Sequence, residues 1–422
     1  MGGFLSTPIV IISVIQKLRA GDVKPRCSVA GNLKCNTEFV SILLRTQSID
    51  DARHAHYLCL RRWERGPCAL GDFTVLWTNK DGSKSEIKAK PSLVTKKPEE
   101  AIKGADQIIF TVPAFAHEEY FTAIAPYVEK GAVIAGVPGQ PGFEFQCRDI
   151  LGAKADECHI MCFETLPWAC RIVEYGKKVD VLGVKTVLAG SLLSGHAAAR
   201  KPPLSTLQYL YGAEPVFRQA KHFLEILIMG YSFVHLAILY GHWKDWDGKA
   251  VEKEPLFYQG IDQATADLLS ACSKECLDVA KAIMKSNPKV NLSDVKDIYD
   301  WYMEYYKDDI EDSTNLLTAI RTNKSYKGLV HPMTKVDNGF VPNFSNRYLT
   351  EDLPMGMIVF RGVADAAGVK IPNNDKLIEW GQKIMKKEFL VDGKLTGKDV
   401  KTTRCPQKYG FTTLDEVISG KK

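Results

Sequence analysis

A histidine, an arginine and an aspartate carry the chemistry that this sequence can support. His235 lies within Tyr231-Ser-Phe-Val-His-Leu-Ala-Ile-Leu-Tyr240, surrounded by apolar residues. A lone histidine in such a run is by default a satisfied core residue. It becomes a general acid–base when a carboxylate orients it and a cation holds substrate beside it. Asn346-Arg-Tyr-Leu-Thr-Glu-Asp-Leu-Pro354 offers both, with Arg347 to fork onto a carboxylate and Asp352 to hold an imidazole tautomer. The same segment reads equally well as a helix start capped by Thr350, Glu351 and Asp352. Metal chemistry is not indicated. The 11 cysteines contain no Cys-x-x-Cys, and Cys158/Cys162 and Cys272/Cys276 lack the partners of a zinc site. They read as buried reduced thiols, which fits a cytoplasmic protein.

Three further segments have the character of ligand loops. Thr111-Val-Pro-Ala-Phe-Ala-His117 leaves a predicted strand and starts a helix. Pro113 fixes its turn and Phe115 follows, so the backbone can run close to a flat cofactor; an ordinary strand–helix turn explains it as well. Gly136-Val-Pro-Gly-Gln-Pro-Gly142 lacks the G-x-G turn of a dinucleotide fingerprint and follows a later strand. It reads as a substrate-side loop with Gln140 at its tip. A phosphate cradle belongs after the first strand. Val29-Ala-Gly-Asn-Leu-Lys-Cys35 is the only reasonable candidate there, and with Gly31 as its single glycine it does not read as a nucleotide site by sequence rule alone.

These residues need elements to position them. A chain of 422 residues exceeds a single ordinary core, and 45% hydrophobic with 25% charged residues is a globular composition. Disordered, collagen-like and disulfide-scaffold classes are excluded. A net charge of +5, with no run of like charges, gives no reason to expect a nucleic-acid partner. The apolar run Pro8–Ile15 is far shorter than the ~20 residues of a membrane span. It reads as a buried strand or an extension.

Gln107–Val112, Ala132–Val137 and His159–Phe163 are short apolar β-branched runs separated by helical stretches, one of which begins near Phe143. That alternation predicts a doubly wound, Rossmann-type parallel sheet. Phe73–Trp77 and Lys84–Lys90 read as a hairpin, and Val179–Leu188 as one last strand. The segment Ser194–Leu204 reads as a linker. Helical periodicity follows over Glu214–Met229, Gln259–Met284, Leu292–Tyr306 with a Ser293 cap, Arg347–Ala367 and Asn374–Phe389. The expected organisation is an α/β domain over 1–193 and an all-helical domain over 204–422. A substrate cleft between them is expected.

The sequence resembles the opine dehydrogenases. The likeness rests on Thr111–His117, Gly142-Phe-Glu-Phe-Gln-Cys-Arg-Asp-Ile-Leu151 and Phe163-Glu-Thr-Leu-Pro-Trp-Ala-Cys-Arg171. It continues in Pro203–Leu207, Gly212–Arg218, Leu256-Phe-Tyr-Gln-Gly-Ile-Asp262 and Arg347–Asp352. It implies that 1–193 is a dinucleotide-binding domain, atypical in 1–62, and that 204–422 is the substrate and catalytic domain. It also implies that the protein is a monomer acting on small molecules by NADH-dependent reductive condensation of pyruvate with an amino acid, L-arginine in the first place. By position, His235 resembles the catalytic histidine, Asp352 its orienting aspartate and Arg347 the carboxylate-binding arginine. Gln140, Thr165 and Cys170 fall where the family contacts substrate, and Leu236 stands where proline is expected after the histidine. The family's cofactor loop reads Gly-Gly-Gly-Asn-Gly-Ala-His, of which Val29–Cys35 keeps only Gly31 and Asn32. Either this region is divergent and binds NADH weakly, or the first 60 or so residues derive from another coding segment. A relative that binds substrates without cofactor or turnover is the alternative.

Overall fold

The computed structural model describes residues 9–12, 55–58, 73–79, 81–89, 93–174 and 178–421. The chain divides into two compact units, Met1–Phe223 and Leu224–Lys422. In the first unit the strands are β1 (Ile9–Ile12), β2 (Ala55–Leu58), β3 (Phe73–Thr78), β4 (Lys84–Ala89), β5 (Leu93–Thr95) and β6 (Gln107–Phe110), followed by β7 (Val133–Gly136) and β8 (His159–Phe163). Strands β9 (Trp168–Glu174), β10 (Lys178–Val184), β11 (Val187–Leu193) and β12 (Val216–Gln219) complete them. Helices α1 (Pro98–Ile102), α2 (His117–Ile124), α3 (Phe143–Leu151) and α4 (Pro203–Tyr211) connect the strands.

The main sheet has the order β12-β11-β8-β7-β6-β1-β2-β5. Strands β5, β2, β1, β6, β7 and β8 are parallel, with Ile9 opposite both Ala55 and Gln107. This is the dinucleotide-fold order, and its direction of winding reverses between β1 and β6. The short run at 9–12 is therefore the first strand of the sheet. The three runs predicted as central strands are β6, β7 and β8, each buried along its whole length. Continuous burial explains why they are apolar throughout rather than alternating.

The expected hairpin forms as β3–β4 and belongs to a second, four-stranded sheet of order β4-β3-β10-β9. Other expectations for this unit are not met. The single strand expected over Val179–Leu188 is two, β10 in the second sheet and β11 antiparallel to β8 in the first. A common core that includes Val75, Trp77, Val133, Met161, Phe163 and Val181 lies where side chains from both sheets meet. Residues 216–219, expected in a helix, are β12, paired parallel with β11. Phe217 is buried and Val216 is 51% exposed, which is strand alternation. The Gln208 side chain accepts from Phe217 N at 2.7 Å and donates to Pro215 O at 3.0 Å, holding that backbone extended. The sheet thus takes in chain beyond the expected boundary at 193–204, and the units divide at Phe223/Leu224.

The second unit contains α5 (Phe223–Ile228, starting at the division), α6 (Phe233–Trp243), α7 (Gln263–Ser286), α8 (Ile298–Tyr305) and α9 (Leu316–Arg321). Then come α10 (Arg347–Thr350), α11 (Ile358–Ala366), α12 (Pro372–Met385) and α13 (Leu414–Ser419). It is not all-helical, because β13 (Met333–Val336) and β14 (Gly339–Pro342) form a hairpin. Helix α7 is the axis of the unit, with Leu269, Cys272, Cys276, Val279 and Ile283 buried on one side. Asp262 caps it by accepting from Thr265 N at 2.8 Å. Helix α8 starts at Ile298 under an Asp297 cap and not at Ser293, whose N–H is taken by Asn291 Oδ1. The segment Phe223–Trp243 is long and apolar enough to cross a bilayer, yet most of its apolar stretch is buried inside the protein. A turn with Tyr231 at φ 39° separates α5 from α6 within it.

Candidate active site

Helix α6 carries His235 on its first turn. Its partner Asp352 is 117 residues later, and Nδ1 of the imidazole stands 2.5 Å from Asp352 Oδ2. The segment expected as one helix from Arg347 to Ala367 is broken to make this possible. Asn346 caps α10 by accepting from Tyr348 N at 3.0 Å, so the cap is Asn346 and not the Thr350–Asp352 cluster. A π turn, Leu353–Met357, then precedes α11. Pro354 has no N–H to continue the ordinary ladder, and widened turns of this kind frequently shape functional sites. Gly356 lets the turn meet α6, since a Cβ there would lie 2.0 Å from Ser232 Oγ. Leu236, the departure from the family pattern, is fully buried close to Gly381 of α12.

Two aromatic residues complete the setting of the imidazole. Tyr348 stacks on it with centroids 3.9 Å apart and planes at 14°. The Tyr258 hydroxyl lies 2.7 Å from Nε2. Burial pushes the Asp352 carboxyl above the usual carboxylate range, and the adjacent His235 pulls it back. Burial also holds the Tyr258 phenol well above its ordinary value, reinforced by Tyr348, Tyr302, Tyr306 and Asp352. Tyr258 is therefore a neutral hydroxyl. With Asp352 accepting from Nδ1–H, the Nε2 lone pair is the basic site of the dyad. Arg347, the first residue of α10, pairs through Nε with Glu351. A histidine–carboxylate dyad beside a guanidinium can move protons at a substrate that carries a carboxylate.

In the first unit the remaining predicted residues occupy the carboxyl ends of strands or the second sheet. Pro113 and Phe115 follow β6 in a single 3-10 turn at the point where the sheet's winding reverses. Ligands of open α/β sheets bind at that position, so this half of the switch point suits a dinucleotide. Gln140 follows β7 with φ 63°, a left-handed conformation that costs a non-glycine residue strain, and accepts from Cys162 Sγ at 3.7 Å. Thr165 follows β8 and its hydroxyl accepts from Lys185 Nζ at 2.8 Å. Cys170 lies on β9 and is part of the core, 4% exposed. Gly31 and Asn32 lie outside the described residues. Among the described residues no cluster of metal-ligating side chains occurs.

No motif or spacing marks Tyr258 or Tyr348 as site residues in the sequence, and Glu351 reads there only as a helix cap. Tyr258 stands in an irregular segment with no periodicity to signal it. Its sole sequence signal is membership of Leu256–Asp262, a stretch that carries family likeness without an assigned role.

Comparison with known proteins gives this site a context. The sequence model described as NAD/NADP octopine/nopaline dehydrogenase, alpha-helical domain, matches residues 219–385, which include the dyad and Arg347. Octopine dehydrogenase of Pecten maximus is 66% identical over 361 residues, covering 85% of this chain and 90% of that protein. A solved octopine dehydrogenase with NADH and L-arginine superposes with a TM-score of 0.85 at 57% identity over 98% of each chain. One with NADH and pyruvate gives 0.84 at 56%, again over 98% of each. The α/β sheet with its reversal between β1 and β6, the dyad formed by α6 and the residue that caps the π turn, and these likenesses agree: the chain belongs to the opine dehydrogenase family.

Proposed function

We propose that this protein catalyses the NADH-dependent reductive condensation of L-arginine with pyruvate, forming octopine and reoxidising NADH. The observation that carries the reading is the His235–Asp352 dyad, joined at 2.5 Å beside Arg347. The identity with a protein named octopine dehydrogenase supports the choice of amino acid. The amino acid arrives as an ammonium ion and must lose a proton before its nitrogen can attack the pyruvate carbonyl. His235 is the base for that step, and the imidazolium it becomes is stabilised by Asp352 across Nδ1–H. The same imidazolium returns a proton as water departs to leave the imine. Arg347 holds a substrate carboxylate, which fixes the reacting carbon relative to His235. Gln140 and Thr165 contribute further substrate contacts in this reading, whereas Cys170, packed in the core of the first unit, is withdrawn as a contact. Bound NADH supplies the hydride that reduces the imine; Pro113 and Phe115, with Gly31 and Asn32, are the residues that would hold it.

The test combines an activity panel with cofactor binding. Pyruvate with L-arginine is expected to be turned over faster than pyruvate with alanine, glycine or taurine, followed by loss of NADH absorbance. A higher rate with another amine overturns the choice of arginine. Titration followed by NADH fluorescence is expected to saturate, and absence of any saturable change leaves the substrate-binding alternative standing. The reading also makes the protein a cytoplasmic monomer, which sedimentation equilibrium at working concentration tests.

A further inference from the structure

The nitrogen assigned as the base is already occupied. Nδ1 of His235 is committed to Asp352, so a neutral imidazole offers one in-plane lone pair, on Nε2. The Tyr258 hydroxyl takes that position at 2.7 Å. A substrate N–H and the phenol cannot both donate to a single lone pair, so either the tyrosine leaves or the proton travels through it.

The structure holds the tyrosine in place. Its ring stacks on Tyr326 with centroids 3.9 Å apart and planes at 13°. The edge of Phe257 meets it at 4.9 Å, and the residue is only 8% exposed. The backbone on either side is tied down as well. Phe257 N donates to Leu329 O at 2.8 Å, and His331 N donates to Pro255 O at 2.8 Å. Gly260 turns tightly, a Cβ there falling 2.1 Å from Leu256 O. Swinging the ring clear would break its stacking and leave Nε2 without a donor.

We infer that Tyr258 is a catalytic residue that relays the proton from the substrate ammonium to His235. The inference rests on the reading of His235 and Asp352 as the base dyad. One ammonium N–H bond breaks as the Tyr258 oxygen gains that proton. The phenolic O–H bond breaks as Nε2 gains the other. The freed nitrogen lone pair is then available to the carbonyl carbon. Tyr258 begins and ends as a neutral phenol, and no oxidant or reductant is involved. A free tyrosinate is not an intermediate, because its charge would be buried against Tyr348, Tyr302, Tyr306 and the Asp352 carboxylate. The two transfers are therefore concerted, and the reverse sequence returns a proton to the departing water.

Tyr258→Phe removes the hydroxyl and keeps the ring that stacks on Tyr326. The relay predicts a fall in kcat of at least about a hundredfold, the usual scale of general acid–base catalysis, with little change in KM for either substrate. If Tyr258 merely covers Nε2, the variant uncovers the base and keeps or gains activity, so a kcat within about threefold of the parent overturns the relay. His235→Gln measured in parallel separates the two ideas. An active His235→Gln enzyme sinks the dyad itself, whereas an inactive one beside an active Tyr258→Phe sinks the relay alone. A second measurement needs no substitution. Single-turnover rates in mixtures of light and heavy water are expected to give a bowed proton inventory, since two protons move together. A linear inventory overturns the relay.

Discussion

Asp352→Asn tests the electrostatic core of the site, because it removes a charge and keeps the shape. The imidazolium formed when His235 takes a proton faces a carboxylate oxygen 2.5 Å from Nδ1. With charge centres about 4 Å apart and an effective dielectric of about 20, their attraction is roughly 4 kcal/mol. At about 1.4 kcal/mol per factor of ten, that is on the order of a thousandfold in rate. Burial opposes the charged carboxyl, as its raised pKa shows, and offsets part of the gain. A fall in kcat of about 10²–10³-fold is therefore expected. Stability should move the other way, because the amide relieves the cost of a buried carboxylate: the urea midpoint is expected to stay level or rise. NADH consumption under saturating L-arginine and pyruvate measures the rate, and urea unfolding of the same preparation measures stability. A kcat within about threefold of the parent would refute the reasoning, since no imidazolium could then depend on Asp352.

Arg347→Ala is expected to raise the apparent KM for pyruvate or the amino acid by about 10–100-fold, the worth of a charge-assisted bidentate bond; unchanged KM for both excludes a carboxylate grip. His331 is fully buried, accepts from Trp243 Nε1 at 3.0 Å and has its pKa lowered to about 3, first by burial and then by His242. A depressed folded value means the unfolded chain binds the proton first, so stability is complete above the unfolded value of 6.5 and is lost as pH falls toward 3. Between about pH 7 and about pH 5 this residue should cost roughly 2 kcal/mol of unfolding free energy, a dependence that His331→Gln should remove from urea curves. If the variant keeps the full pH dependence, His331 is not its source. Gly356→Ala places a Cβ 2.0 Å from Ser232 Oγ and should cost about 1–3 kcal/mol in urea unfolding, largely recovered with Ser232→Gly; a parent-like midpoint would show that the π turn can move off α6.

Much of the fold is legible in the sequence where a local pattern reflects its environment. The strands β6, β7 and β8 are apolar runs because both faces are covered, and α3 begins at Phe143 as its pattern suggests. Val216–Gln219 misleads because Val216, Phe217, Ala220, Phe223, Leu224 and Leu227 also fit helical spacing. Pairing with β11 decides the matter, and no local signal records a partner about 30 residues upstream. Arg347–Ala367 misleads for the opposite reason. Its periodicity is helical on both sides of Pro354, and the π turn is a small displacement that periodicity cannot register.

The amino-acid sequence by itself determines which groups this protein can use. It supplies His235, Asp352 and Arg347 as the titratable and charged candidates, and the apolar runs that must become buried strands. Those are consequences of side-chain chemistry and short-range spacing, which act over a few residues. Tertiary structure decides what those groups become. It brings a histidine and an aspartate 117 residues apart to 2.5 Å, and sets a tyrosine from a third segment on the remaining nitrogen. It also makes Ile9–Ile12 the neighbour of Gln107–Phe110, which creates the switch point. Such meetings depend on how distant segments share one core, and a side chain becomes a base only through the partners that the core presses against it.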